Sequence, residues 1–115
     1  MTATVTASGS SFAAAAQLAW GFQEVSSPDP NNVAVKLCAP ADPGKYGPFD
    51  AISILNVGQF PITVFGYTAS DTISGASLWK VLAGQTVAFS TGGTRWTGNG
   101  PWSWLAEYYN GNWYR

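Results

Sequence analysis

The chain contains no histidine, so any acid, base or ligand chemistry is left to lysines, tyrosines and the carboxylates Glu24, Asp29, Asp42, Asp50, Asp71 and Glu107. The missing imidazole removes the usual general base, the Ser-His and Cys-His nucleophile pairs and the commonest zinc ligand together. Glycoside cleavage would need two carboxylates flanking the bond, and Asp50 with Glu107 or with Asp71 is the pairing left open. The six acids are nevertheless dispersed, and no two stand at a spacing that marks a shared site. Calcium needs several oxygen ligands close together. Only the segment between Asp42 and Asp50 approaches that, and its prolines and glycines read as a solvated loop. Neither GxxxxGK[ST] nor GxGxxG occurs, so the glycine pairs are turns and not phosphate cradles. Cys38 is the only cysteine and forms no internal disulfide or cysteine cage. Its place in the alternating run Val33-Ala34-Val35-Lys36-Leu37-Cys38 reads as that of a small buried apolar residue. No catalytic residue, metal site or cofactor is expected, and the chain reads as non-enzymatic.

Aromatic residues carry the stronger signal. Tryptophan occurs at positions 20, 79, 96, 102, 104 and 113, with Tyr108, Tyr109 and Tyr114 beside the last of them. Such rings complete small cores, anchor protein interfaces, or stack on the apolar face of a sugar. Trp96, Trp102, Trp104, Tyr108 and Trp113 are the candidates for partner or glycan contact, and period two places Trp102 and Trp104 on one strand face.

Charge excludes several partner classes. Five cations are scattered singly and the net charge is −1. Phosphate neutralisation needs clustered cations, so neither nucleic acid nor an anionic membrane surface is an expected partner. The longest apolar stretch, residues 12–20, is broken by Gln17 and is about half the ~20 residues that cross a bilayer. The opening residues lack the basic cluster of a secretory signal, which implies synthesis in a cytoplasm. Apolar residues make up 46% and charged residues only 10%, against roughly 25% charged in an ordinary domain. A surface with so few charges is expected to be covered in part by another subunit.

The elements that must position these residues are short strands. Residues 1–11 are Thr, Ser, Ala and Gly with one Val after Met1, a composition expected of a flexible N-terminal arm or a strand exchanged with a neighbour. Residues 12–115 are expected to form one β-sandwich or jelly-roll-like domain. Within 12–25 four alanines favour helix while Leu18, Trp20 and Phe22 alternate as in a strand, and strand is the reading preferred. Further strands are predicted over 33–38, 51–57, 62–67, 78–82, 86–90, 102–109 and 112–114, separated by turn signals about 8–12 residues apart. Turns are expected at 26–32, at Asn56-Val57-Gly58 and at Asn110-Gly111, and an exposed loop over 39–48. The expected core is Val33, Val35, Leu37, Ile52, Ile54, Leu55, Ile62, Val64, Val87 and Phe89. No period of 20–50 residues repeats, which excludes solenoids and propellers.

The run Ile52-Ser53-Ile54-Leu55-Asn56-Val57-Gly58, then Pro61-Ile62-Thr63-Val64, Ala83-Gly84-Gln85-Thr86-Val87-Ala88-Phe89 and Gly93-Thr94-Arg95-Trp96, resembles the β-rich modules of tailed-phage head-decoration, fibre and tail-spike proteins. There a strand ends in an Asn-x-Gly turn, an ITV strand follows, a GQTV strand comes next and a glycine hairpin ending in Trp closes the set. The similarity covers residues 51–96 and departs at Gly92-Gly93, where that family often carries an acid. The resemblance implies a non-enzymatic virion subunit, often a homotrimer and jelly-roll-like, located in the virion. Its short length favours a capsid decoration or cement protein bound to the major capsid protein. The alternative is a receptor- or carbohydrate-binding fibre module whose C-terminal aromatics meet a cell-surface glycan.

Overall fold

The computed structural model describes residues 3–19, 21–38, 52–90 and 103–109. All regular structure among them is β-strand, in ten elements: β1 (Ala3–Thr6), β2 (Ala16–Gln17), β3 (Gly21–Ser26), β4 (Ala34–Lys36), β5 (Ile52–Asn56), β6 (Ile62–Phe65), β7 (Thr72–Ile73), β8 (Trp79–Val81), β9 (Thr86–Ser90) and β10 (Ser103–Tyr109). No helix among the described residues is long and apolar enough to cross a membrane. The chain is all-β, as its alternating patterns and frequent turn residues require.

The strands form two mixed sheets. One has six strands in the order β1-β3-β5-β9-β10-β7, and the other has four in the order β2-β4-β6-β8. From β1 to β6, consecutive strands alternate between the sheets, and neighbours within a sheet run parallel. Ala3 lies beside Gln23 and Gly21 beside Ile52, so each winding returns after 20 and then 31 residues. The second half changes character: β8 pairs antiparallel with β6, and β9 pairs antiparallel with both β5 and β10. The parallel strands β1 to β6 stack without any repeat in the sequence. Unequal windings with different residues can stack as well as equal ones, because parallel pairing needs only matching backbone.

Period-two alternation builds the core between the sheets. In β5, Ile52 and Ile54 are buried while Ser53 and Leu55 are half-buried, and across the ladder Ile52 faces Phe89 and Ile54 faces Val87. From the four-stranded sheet come Val35 and Val64, paired with each other, and Ile62 opposite Val81. Eight of the ten expected core residues are buried, the exceptions being the half-buried Val33 and Leu55. Ala7, Leu18, Val25, Ile73, Val81 and Trp104 complete the cluster.

The ambiguous stretch over 12–25 resolves into a turn and two strands. Ala14 N–H donates to Ser11 O and Ala15 N–H to Phe12 O, and β2 then begins at Ala16. The buried Gln23 holds the link to β3, accepting Ala19 N–H at Oε1 and donating Nε2 to Ala19 O. Those local bonds satisfy backbone that a helix would otherwise pair. Residues 3–6 of the expected N-terminal arm form β1 in parallel register with β3. The expected loop over 39–48, the Asn110-Gly111 turn and the strand over 112–114 lie outside the described residues.

Candidate functional site

Trp104 is the one aromatic candidate whose side chain is described, and it lies in the core with 1% of its surface exposed. Strand β10 places it beside Ile73 of β7, the neighbouring strand. A buried indole needs an acceptor for its N–H, and Trp104 Nε1 donates to Asp71 Oδ2 at 2.9 Å. The expectation that Trp104 offers a contact surface is therefore corrected: this ring presents no face to a sugar or a partner. Tyr108 stands on β10 opposite Val87, with its side chain outside the description. Trp96, Trp102 and Trp113 lie outside the described residues, as do Asp42 and Asp50.

Asp71 is the hub that sequence reading underrated. It is 2% exposed, and besides the indole its Oδ2 accepts Tyr67 N–H at 2.9 Å and Thr68 N–H at 3.2 Å, while Oδ1 accepts the Thr68 hydroxyl at 2.6 Å. A buried carboxylate is tolerated when donors surround it. Gly66 makes the approach possible, since a Cβ there would collide with the Asp71 side chain. The arrangement fixes the turn between β6 and β7 and ties it to β10. Signals for it were present in the sequence, namely a Tyr-Thr-x-x-Asp turn after a glycine, but the indole partner lies 33 residues away.

A second buried polar hub joins the two sheets. Asn56, at the end of β5, donates Nδ2 to Phe60 O at 2.8 Å and to Val81 O of β8 at 2.9 Å, and its Oδ1 accepts Gly58 N–H at 3.0 Å. The expected Asn-x-Gly turn is thus present, and its asparagine also crosses between sheets.

One open groove of about 450 Å³ runs beside β8, lined by Leu78, Trp79, Lys80, Leu82, Gln85 and Val87. Trp79 is half-buried and contacts the core, whereas Leu82 is half exposed. Lys80 Nζ donates to Thr63 Oγ1 at 2.9 Å. Phe12 meets Phe65 of β6 edge to face at 6.2 Å, with Lys36 Nζ 4.8 Å from the Phe12 ring centre. Phe22, Tyr67 and Leu105 are further exposed apolar side chains.

Cys38 is half-buried and a free thiol. Burial pushes its pKa up to about 11, with a backbone hydrogen bond acting weakly in the opposite direction. Such a thiol is a poor nucleophile near neutrality. Among the described residues no group of three or more His, Cys, Asp or Glu could hold a metal ion. No family model, curated protein or solved structure matches the chain.

Proposed function

We propose that this chain is a non-enzymatic structural subunit of a tailed-phage virion, a capsid decoration or cement protein that reinforces the head by adding interface area across capsid subunits. The observation that carries the reading is the strand-and-turn pattern over residues 51–96, whose first three segments fall on β5 with its Asn56 turn, on β6 and on β9. The low content of charged residues supports it, since a particle subunit covers much of its surface with neighbours. Its partners are then copies of itself, as a homotrimer by the resemblance, and the major capsid protein. The finer architecture we take to be a β-sandwich, because one core cluster draws from both sheets. A jelly roll winds antiparallel strands through Greek keys, so the parallel β1, β3 and β5 make the plain sandwich the better form of the proposal.

The test uses phage heads that lack the protein. Purified protein added to them cosediments and raises the temperature at which the heads release DNA. Failure to cosediment would overturn the proposal.

A glycan-binding fibre module is the second reading, favoured by the groove beside Trp79, where an aromatic ring and polar Lys80 and Gln85 occur together. It calls for a change in tryptophan fluorescence on adding glycans, abolished by Trp79→Ala. An unchanged spectrum across a glycan panel would remove it.

A further inference from the structure

We propose that the outer edge of β1 is a self-association surface, on which β1 of a second copy pairs antiparallel about a two-fold axis centred on Val5. Ala7 N–H donates to Ser26 O while Thr6 stands beside Ser26, so the odd-numbered residues of β1 direct their main-chain groups toward β3. The N–H and C=O of Thr4 and Thr6 therefore point to the opposite side, where no other strand lies among the described residues.

Natural sheet edges are blunted by charges, prolines, bulges or covering segments. Residues 3–19 contain no charged side chain and no proline. The six-stranded sheet ends at β1 and the four-stranded sheet at β2, both strands of the first winding. Both sheets thus stop on strands that carry neither charge nor proline.

The occupant is a second copy because the edge is complementary to itself. With Val5 on the axis, Thr4 of one protomer faces Thr6 of the other, and each of the two such pairs exchanges two N–H···O=C bonds. The exposed Thr4 and Thr6 side chains then form cross-strand Thr–Thr pairs, a favourable combination. Val5, half-buried and in contact with the core, meets its symmetry mate and joins the two cores. No like charges are opposed at any point of this register. The inference does not rest on the virion reading or its homotrimer, which can fail without affecting it: the β1 pair is a two-fold contact that gives a dimer, or joins two trimers through three such pairs.

The first measurement is native mass by sedimentation equilibrium over a wide concentration range. Thr4→Pro removes an outward N–H and no bond to β3, a position where an edge strand accepts proline, and Thr6→Lys opposes the edges by charge while keeping every main-chain donor. Both variants should halve the native mass at concentrations where the unaltered protein is associated, with the circular dichroism spectrum unchanged. In a Cys38→Ser background, Val5→Cys should oxidise to a covalent dimer, because directly opposed residues in a non-hydrogen-bonded antiparallel pair lie about 4.5 Å apart at Cα, within disulfide reach. A native mass unaffected by Thr4→Pro and Thr6→Lys, a wild-type protein that is monomeric throughout, or a Val5→Cys variant that yields no covalent dimer would each overturn the proposal.

Discussion

Asp71 and Trp104 answer each other's needs: the carboxylate is buried only because donors reach it, and the indole is buried only because an acceptor meets it. Trp104→Phe retains most of the apolar burial but withdraws one donor from Asp71. Leaving a buried polar group short of a partner costs about 1–3 kcal/mol, which urea denaturation should register as a lower midpoint with an unchanged slope. Asp71→Ala strands the indole, the Thr68 hydroxyl and two main-chain N–H groups together and should cost more than Trp104→Phe. Cys38 gives a pH-dependent counterpart. Its folded pKa, raised to about 11, lies above the ordinary thiol value of about 8.5. The folded state therefore favours the protonated thiol, and its contribution is complete below the unfolded pKa and lost as pH rises toward about 11. Comparing denaturation midpoints of wild type and Cys38→Ala across pH 8 to 11 isolates this contribution, and the wild type should lose more. Slow reaction with a thiol reagent at pH 8, accelerated by urea, is the accompanying kinetic expectation.

At the scale of elements, turns decide where strands stop and which strands meet. Gly66 ends β6 by letting Asp71 close over it, and Gly66→Ala should destabilise the β6–β7 turn by forcing that carboxylate away from its donors. Gly84, at φ +83°, occupies the left-handed region between β8 and β9, where its N–H donates to Asn56 O at 2.8 Å. Asn56→Asp is a sharper probe of the same region. A carboxylate can still accept from Gly58 N–H, but it cannot donate to the carbonyls of Phe60 and Val81, so both sheets lose their side-chain tie. The expected result is a fall of about 1–3 kcal/mol or more in stability, together with earlier hydrogen exchange in β8 than in β5. The strands themselves were legible because they alternate: β9 matches its predicted bounds, and β5, β6, β8 and β10 differ by one or two residues at the ends. Residues 12–25, where the alternation was preferred over the helix propensity of the alanines, do hold β2 and most of β3, but the break between them was hidden because only the Gln23 bonds to Ala19 settle it.

For the molecule as a whole, the winding brings together residues far apart in sequence, as when β3 pairs with β5 and β5 with β9. Loop closure must precede these contacts, so folding should take milliseconds to seconds and not microseconds. Stopped-flow refolding followed by tryptophan fluorescence measures this, and a dominant microsecond phase would contradict the topology. The exposed apolar residues Phe22, Val57, Tyr67, Leu82 and Leu105 are spread over several elements, which suits contact with neighbours on more than one side.

The sequence by itself determined the all-β class, most of the core and the Asn56 turn, because period two and turn chemistry are local properties read within a few residues. It also excluded clustered cations and histidine chemistry, which depend on composition alone. Tertiary structure decided the rest. The parallel winding of β1 to β6 leaves no trace in sequence, since stacking depends on backbone hydrogen bonds that any residue except proline can make. The burial of Trp104 was equally hidden, for whether a strand's aromatic face turns inward depends on a partner 33 residues away that receives its N–H.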